Sequence, residues 1–159
     1  MTRINADLSP ALLTDQHLFA EYREMRRIPK ALLKSLSGKS PAAVMAAIPA
    51  AFCLGPGHVK FFYDKGNFLI VRHALLRQAL LKRGYRLNDD GVFDRLAVYQ
   101  QYPAFLGDRR YRLNSAARSL IVERIMQRIR DKPRFYTLGK EAIEIEQYYQ
   151  LLQSELFKS

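Results

Sequence analysis

Tryptophan, cysteine and long apolar runs are scarce in this sequence of 159 residues, which has no Trp and one Cys. A single thiol excludes an internal disulfide framework, and Cys53 lies in an apolar segment, so we expect it to be buried. The longest apolar stretch, 42–54, is interrupted by Pro49 and is too short to span a bilayer. Asp7 and Pro10 interrupt any apolar core of a signal peptide. We therefore expect a cytoplasmic protein without a membrane partner.

Acidic residues are outnumbered: the sequence has 26 Lys and Arg against 15 Asp and Glu, a formal net charge of +11. Such an excess favours a polyanionic partner, and nucleic acid above all. The alternatives are a small basic protein with no specific partner and a non-catalytic DNA- or RNA-binding module. His17, His58, His73, Cys53 and the scattered carboxylates lack metal-ligand spacing, so we expect no metal and no other cofactor.

Alternation of polar and apolar residues is missing as well, while helical periodicity is frequent. The sequence predicts an all-α fold, with residues 1–159 forming one compact domain in which 141–159 is a C-terminal helical extension. Three main helices, short helices and a C-terminal helix make up the expected bundle. The predicted helices are Thr14–Ser37, Ser40–Ile48, Asp64–Arg83, Asp94–Gln101, Asn114 to just before Pro133, and Lys140–Phe157, with a turn-rich loop from Pro49 to His58.

The first predicted helix has Thr14 as its N-cap and Gly38 as its C-terminal cap, and Pro29 should kink it near Met25. One face carries the expected core residues Leu18, Tyr22, Met25, Leu32 and Leu36. The opposite face carries Arg23, Arg27, Lys30 and Lys34, which form either a phosphate-binding stripe or a solvated helix surface.

Later helices carry similar patterns. The helix that begins after Asp64 has apolar residues in nearly all directions and is expected to be the buried central helix. In the helix capped by Asn114, Val122, Ile125 and Ile129 should point inward, and Arg124 and Arg128 outward. His58, in the Gly-Pro-Gly-His loop, is expected to make a local hydrogen bond.

The amino terminus is chemically suggestive. Methionine is normally removed when the next residue is as small as threonine, so Thr2 is expected to carry the α-amine. An α-amine has a pKa of about 7.7–8.0, against about 10.4 for Lys, and neighbouring cations such as Arg3 lower it further. A free amine near a carboxylate such as Glu24 suits Schiff-base chemistry, although a frayed, inactive terminus is the commoner situation.

Several exact segments together resemble one enzyme family. They are TRIN at 2–5, DQHL at 15–18, AEYRE at 20–24, GPGHVKFFYDK at 55–65 and KRGY at 82–85. In this order and at these separations, they are similar to the pyrimidine-dimer DNA glycosylase/AP lyase family of the T-even-phage endonuclease V type. The resemblance covers residues 2–85 well and is weaker from Asn114 to Lys140.

The resemblance implies a monomeric, metal-independent all-α enzyme that acts on double-stranded DNA containing pyrimidine dimers or abasic sites. Thr2 would attack the sugar of the 5′ nucleotide of the dimer, and Glu24 would assist ring opening and β-elimination. Arg3, Arg23 and Arg27 match phosphate-gripping positions, and Gln16 and His17 match residues near the reacting sugar. The candidate DNA-binding residues also include Lys30, Lys34, Arg124 and Arg128.

The carboxy-terminal part departs from the family pattern. The family's aromatic Trp-Tyr-Lys-Tyr-Tyr-Gly run is reduced here to Phe135-Tyr136-Thr137-Leu138-Gly139, so Phe135 and Tyr136 are the remaining candidates for contact with the damaged strand. The segment 85–113 is longer than in the family, and the residues after Lys140 have no counterpart.

Overall fold

Helices make up most of the structure, a computed structural model that describes residues 4–89, 96–108 and 110–156. The expected all-α class is confirmed, since a single pair of two-residue strands is the sheet that these residues form. The α-helices are α1 (Asp15–Glu24), α2 (Arg27–Gly38), α3 (Pro41–Ala46), α4 (His58–Phe61), α5 (Gly66–Lys82), α6 (Leu96–Gln101), α7 (Ser115–Asp131) and α8 (Ile145–Leu156). Strands β1 (Thr137–Leu138) and β2 (Glu141–Ala142) pair antiparallel, and 3-10 turns span Pro10–Leu12 and Pro103–Phe105.

The first predicted helix is two helices, because α1 ends at Glu24 and α2 begins at Arg27. The predicted kink near Met25 is therefore a full break. Pro29 explains its position, since a proline ring clashes with the carbonyl four residues earlier, here that of Met25. Thr14 is confirmed as the N-cap of α1, where its side chain accepts a hydrogen bond from the His17 N–H. The prediction for Gly38 was wrong: Gly38 is the last residue of α2, and Lys39 follows in extended conformation.

Helix α1 packs against α5, and both contribute buried residues to the common core. The expected core stripe on α1 and α2 is confirmed, and its five members are all buried: Leu18, Tyr22, Met25, Leu32 and Leu36.

Two details of α5 differ from the prediction. The helix begins at Gly66 after Lys65, and Asp64 is not its cap but pairs with the Lys65 ammonium at 2.8 Å. It is also not buried on all sides, because Leu75 and Leu81 are 45% and 44% exposed. Gly84, with φ +82°, follows its end as predicted, since a left-handed conformation suits glycine.

Helix α7 begins as predicted after Asn114, whose side chain accepts a hydrogen bond from the Ala117 N–H. Val122, Ile125 and Ile129 are buried as expected. Helix α8 packs on α7 and contributes Tyr148 and Leu152 to the common core.

The start of the last helix was predicted wrongly, at Lys140 instead of Ile145. Residues 137–142 form the β1–β2 hairpin, whose turn holds Gly139 and Lys140 at φ +60° and +70°. Strands of two residues are too short to produce a visible alternation in the sequence.

The middle of the chain holds smaller corrections. Helix α3 begins just after Ser40, close to the predicted start, and ends at Ala46 instead of Ile48. Helix α4 was not predicted. Cys53, which was expected to be buried, is only half-buried. Helix α6 matches the predicted short helix, of which Asp94 lies outside the described residues. Among the described helices, none is both long enough and apolar enough to cross a membrane.

Candidate active site

A cleft of about 520 Å³ opens between α1, α7 and the segment that leads into β1. It combines cationic, aromatic and hydrogen-bonding side chains, which is the combination that binds a nucleic-acid backbone and its bases. The residues that line it are Asn5, Asp15, Gln16, His17, Phe19, Ala20, Arg23, Tyr85, Arg124, Arg128, Phe135 and Tyr136.

The structure brings many of the predicted site residues into this one cleft, and they come from three parts of the chain. These are Gln16, His17, Arg23, Arg124, Arg128, Phe135 and Tyr136. Glu24, Arg27, Lys30 and Lys34 are not among the lining residues that the structure describes. Thr2 and Arg3 lie outside the described residues.

Asp15, which the sequence did not single out, fastens the hairpin to the start of α1. Its carboxylate accepts hydrogen bonds from the Thr137 hydroxyl at 2.6 Å and from the Gly139 and Lys140 N–H groups at 3.0 and 2.7 Å. The Arg83 guanidinium donates to it at 2.7 Å. Burial alone would raise the pKa of Asp15, but the hydrogen bonds lower it to about 2.

Gln16 adds a second attachment between α1 and the hairpin. Its amide oxygen accepts from the Thr137 N–H at 2.9 Å, and its amide nitrogen donates to the Thr137 hydroxyl at 3.2 Å. Both polar groups of Gln16 are therefore engaged within the protein. Together, Asp15 and Gln16 hold the residues before β1, including Phe135 and Tyr136, against the cleft.

His17 forms part of the cleft wall, and its ring stacks on that of Tyr136 with centroids 4.8 Å apart. Its Nδ1 lies 2.6 Å from the Thr14 hydroxyl. Burial, with the positive charges of Arg124 and Arg128, lowers the pKa of His17 to about 3. The ring is therefore neutral at physiological pH.

A buried polar network joins the core to the same cleft. Arg72 makes a two-pronged ion pair with Glu21, at 2.9 and 3.1 Å. Glu21 also accepts from the Asn5 side-chain amide at 2.9 Å, and the Asn5 oxygen accepts from the Arg124 guanidinium at 2.6 Å. This chain of contacts fixes both Asn5 and Arg124.

The amino-terminal segment is held by His58, a residue that the sequence analysis left outside the site. The Ile4 N–H donates to His58 Nε2 at 3.0 Å, and Nδ1 of the same ring lies 2.8 Å from the Cys53 carbonyl oxygen. Because that oxygen can only accept, Nδ1 carries the ring proton and Nε2 is the acceptor. His58 makes the expected local bond, and the one to Ile4, 54 positions away, has no local sequence signal.

Glu24 lies at the end of α1 with 5% of its side chain exposed, 3.4 Å from the Arg27 guanidinium. The four members of the basic stripe, Arg23, Arg27, Lys30 and Lys34, are all exposed, as the helix pattern predicted. Arg23 borders the cleft, where its guanidinium lies over the Phe19 ring at 5.7 Å. The stripe therefore leads from the cleft along the outer surface of α1 and α2.

In the described part of the chain, no three His, Cys, Asp or Glu side chains form a group that could hold a metal ion. The structure thus shows a mainly α fold with a cleft lined by cationic, aromatic and hydrogen-bonding side chains.

The family model described as pyrimidine dimer DNA glycosylase matches residues 1–91, more than half of the 159 residues. The chain therefore belongs to the pyrimidine dimer DNA glycosylase family, and it is a DNA repair glycosylase whose substrate is DNA containing such dimers. The matched region supplies α1 and the N-terminal wall of the cleft, whereas Arg124, Arg128, Phe135 and Tyr136 lie beyond it.

Proposed function

We propose that this protein removes the 5′ base of a cyclobutane pyrimidine dimer and then cuts the DNA strand at the resulting site. The Thr2 amine attacks C1′ of the 5′ nucleotide, and the glycosidic bond breaks with its electrons going to the base. The base takes up a proton and stays linked to the 3′ pyrimidine through the cyclobutane ring. Ring opening gives an imine between the amine and C1′. Loss of a C2′ proton then expels the 3′ phosphate by β-elimination, and water hydrolyses the imine to restore the amine.

The anchoring of the amino-terminal segment at the cleft is the observation that supports this mechanism most. Ile4 is fully buried and bound to His58, and the next residue, Asn5, is in the cleft wall. Two residues of chain reach at most about 7 Å. An amine on Thr2 would therefore remain tethered near the cleft that contains Arg23, His17 and Arg124.

The amine also has a suitable acidity for the reaction. A free α-amine has a pKa of about 7.7–8.0, so an appreciable fraction is unprotonated near neutral pH, unlike an ordinary Lys at about 10.4. The cationic side chains at the cleft, Arg23, Arg124 and Arg128, disfavour a further positive charge and so increase that fraction.

Glu24 is the proposed general acid and base. Its carboxylate is largely buried and its described ion-pair partner, Arg27, is mainly exposed, with 73% of its side chain accessible. In this role Glu24 would protonate the sugar ring oxygen during ring opening and accept the C2′ proton during elimination.

The cations and aromatic rings supply the DNA contacts in this proposal. Arg3, Arg23, Arg27, Lys30, Lys34, Arg124 and Arg128 would contact phosphates, while Gln16 and His17 would lie near the reacting sugar. Gln16 would act partly through Thr137, to which its amide is bound. Phe135, which is 57% exposed, and Tyr136 would support the bases of the distorted strand.

Borohydride reduction tests the imine directly, because it converts the imine to a stable protein–DNA bond. We expect the protein with a free Thr2 amine to be trapped on an abasic duplex. Acetylation of the amine, carried out near neutral pH where the α-amine reacts before Lys, should abolish trapping because an amide nitrogen is not nucleophilic. Affinity for undamaged DNA should change little.

Two measurements complete this experiment. An intact mass of the native protein shows whether Met1 has been removed, as the mechanism requires. Undiminished trapping after the terminus is blocked would show that the nucleophile is a lysine. An absence of trapping by the unblocked protein would favour the non-catalytic DNA-binding alternative.

A further inference from the structure

Thr14 contacts His17 twice, through the backbone and through the ring. The Thr14 oxygen accepts a hydrogen bond from the His17 backbone N–H at 3.1 Å, which is the N-cap contact of α1. The same oxygen lies 2.6 Å from Nδ1 of the His17 ring. Thr14 is fully buried, so its hydroxyl proton needs a partner inside the protein.

The position of the ring proton follows from these two contacts. The Thr14 oxygen already accepts from the backbone N–H, and Nδ1 of His17 is the acceptor that the described residues offer to the hydroxyl proton. If Nδ1 carried the ring proton, the buried hydroxyl would have no acceptor, which is unfavourable. The favoured arrangement has the hydroxyl donating to Nδ1 and the ring proton on Nε2.

The surroundings keep the ring neutral and leave Nε2 accessible. His17 lines the cleft. Within the described part of the chain, Nε2 has no hydrogen-bond partner and is not fully buried, so it can reach a ligand in the cleft. The charged groups that face it are Arg124 and Arg128 of α7, which with burial lower the pKa of His17 to about 3. Tyr136 stacks on the ring, and the neighbouring Asp15 carboxylate is bound to the hairpin and to Arg83.

We propose that Thr14 is a positioning residue that selects the tautomer of the neutral His17 ring with its proton on Nε2, from which the ring donates a hydrogen bond to a DNA phosphate oxygen beside the lesion. The phosphate is the expected acceptor because Arg124 and Arg128 border the same cleft. The inference rests on the proposed function, since it needs the DNA backbone to lie in this cleft.

The tautomer is measured on the free protein by NMR with ¹⁵N-labelled histidine. We expect the wild-type His17 ring to show a protonated Nε2 and an unprotonated Nδ1, with no titration between pH 8 and pH 5, unlike an ordinary histidine, whose pKa is about 6.5. Adding a duplex with a tetrahydrofuran abasic analogue should shift the Nε2 signal. A proton on Nδ1 in the wild-type protein, or an unchanged Nε2 signal in a complex that has formed, would overturn the proposal.

Two substitutions separate the tautomer from the helix cap. Thr14→Ser keeps the hydroxyl, so both the tautomer and the reaction rate should stay close to wild type. Thr14→Asp keeps an acceptor for the His17 N–H but cannot donate to Nδ1, so the proton of the neutral ring should move to Nδ1 and Nε2 should lose its donor. Cleavage and spectra of this variant are measured at pH 8.5, which keeps the ring neutral beside the new carboxylate. We expect cleavage of a dimer duplex at saturating protein to slow by about tenfold or more, the scale of one hydrogen bond to a charged group.

The outcomes of this comparison are distinct. A folded Thr14→Asp variant that has changed tautomer and still cleaves at the wild-type rate contradicts the role of His17. If that variant does not fold, the wild-type and Thr14→Ser spectra still decide the proton position. A wild-type protein with the expected tautomer that fails to cleave dimer DNA contradicts the proposed function and leaves the assignment of the proton intact.

Discussion

Glu21 and Glu24 lie one turn apart in α1, and their surroundings give them different roles. Glu21 is fully buried and bound to Arg72 and Asn5, whereas Glu24, which is also buried, lies beside the exposed side chain of Arg27. Removing the Glu21 charge leaves Arg72 buried without its counter-ion, a change that costs about 3–5 kcal/mol. Glu21 is therefore expected to act on stability.

Glu24→Gln should separate catalysis from folding. The amide keeps the shape of the side chain but removes the proton acceptor, so single-turnover base release from a dimer duplex should fall about a hundredfold or more. Binding should be retained or strengthened, because a negative charge near phosphates is gone. Glu21→Gln serves as the comparison and should lower the denaturation midpoint. Near-normal turnover by Glu24→Gln would make Glu24 a structural partner of Arg27.

The break between α1 and α2 sets the shape of the basic surface at the scale of elements. Pro29 interrupts the helix at Met25, but exposed cations are present on both sides of the break, from Arg23 to Lys34. Such a row of exposed cations can contact the phosphates of a DNA strand.

Alanine substitutions along this row test its role. Each of Arg23→Ala, Arg27→Ala, Lys30→Ala and Lys34→Ala should weaken binding to damaged and undamaged duplexes alike and reduce the slope of log K against log salt by about one. Arg130→Ala is a matched control, because Arg130 is exposed and lies about 200° around α7 from Arg128. If one of these variants has the same salt dependence of binding as the wild type, the replaced residue contacts solvent and not a DNA phosphate.

The segment before β1 is an element of the site that depends on distant contacts. Asp15 and Gln16 hold Thr137 from more than 120 residues away, and this brings Phe135 and Tyr136 to the cleft. Phe135 lies edge-on to Tyr136 at 5.1 Å and is 57% exposed, so its outer face is available to a base.

Phe135→Ala should distinguish damage recognition from support of the hairpin. If Phe135 stacks on the distorted strand, cleavage of a dimer duplex should lose about 1–3 kcal/mol of transition-state stabilisation, the scale of one base–aromatic contact. Cleavage of an abasic duplex, which needs no base release, should be nearly unchanged. Parallel single-turnover assays of both substrates measure this, and equal losses would assign Phe135 to local packing.

The whole molecule should be sensitive to acid because two groups of the site have lowered pKa values. His17 has a pKa of about 3 in the folded protein, and an unfolded histidine has about 6.5, so the unfolded state binds more protons between these values. Its contribution to stability is complete above pH 6.5 and is lost as the pH falls towards 3. Asp15, with a pKa of about 2 against about 3.9 when unfolded, acts in the same direction at lower pH.

Denaturant titrations at pH 7.5, 5.5 and 4 should therefore show that the free energy of unfolding decreases as the pH is lowered. Replacing His17 by Asn, which does not titrate, should reduce the slope between pH 6.5 and 4 relative to the wild type, because the difference between the two proteins isolates this histidine. Parallel curves for the two proteins would mean that His17 has an ordinary pKa.

Local sequence determined the features that depend on neighbouring residues. The caps at Thr14 and Asn114, the start of α3 near Ser40, the core stripe of α1 and α2, the exposed cations opposite it and the end of α5 before Gly84 follow from spacing and side-chain chemistry. The family resemblance came from short exact segments, and the match over residues 1–91 bears it out.

Tertiary structure alone decided the assembly of the candidate site. The hydrogen bonds from Thr137 to Asp15, from Ile4 to His58 and from Arg124 to Asn5 join residues 54 to 122 positions apart. Periodicity reports only which face of an element is apolar, so it gives no signal for polar contacts between distant segments. Pro29 predicted a kink near Met25, but not that the helix breaks there completely, and the two-residue strands were missed because packing overrides the local helical pattern.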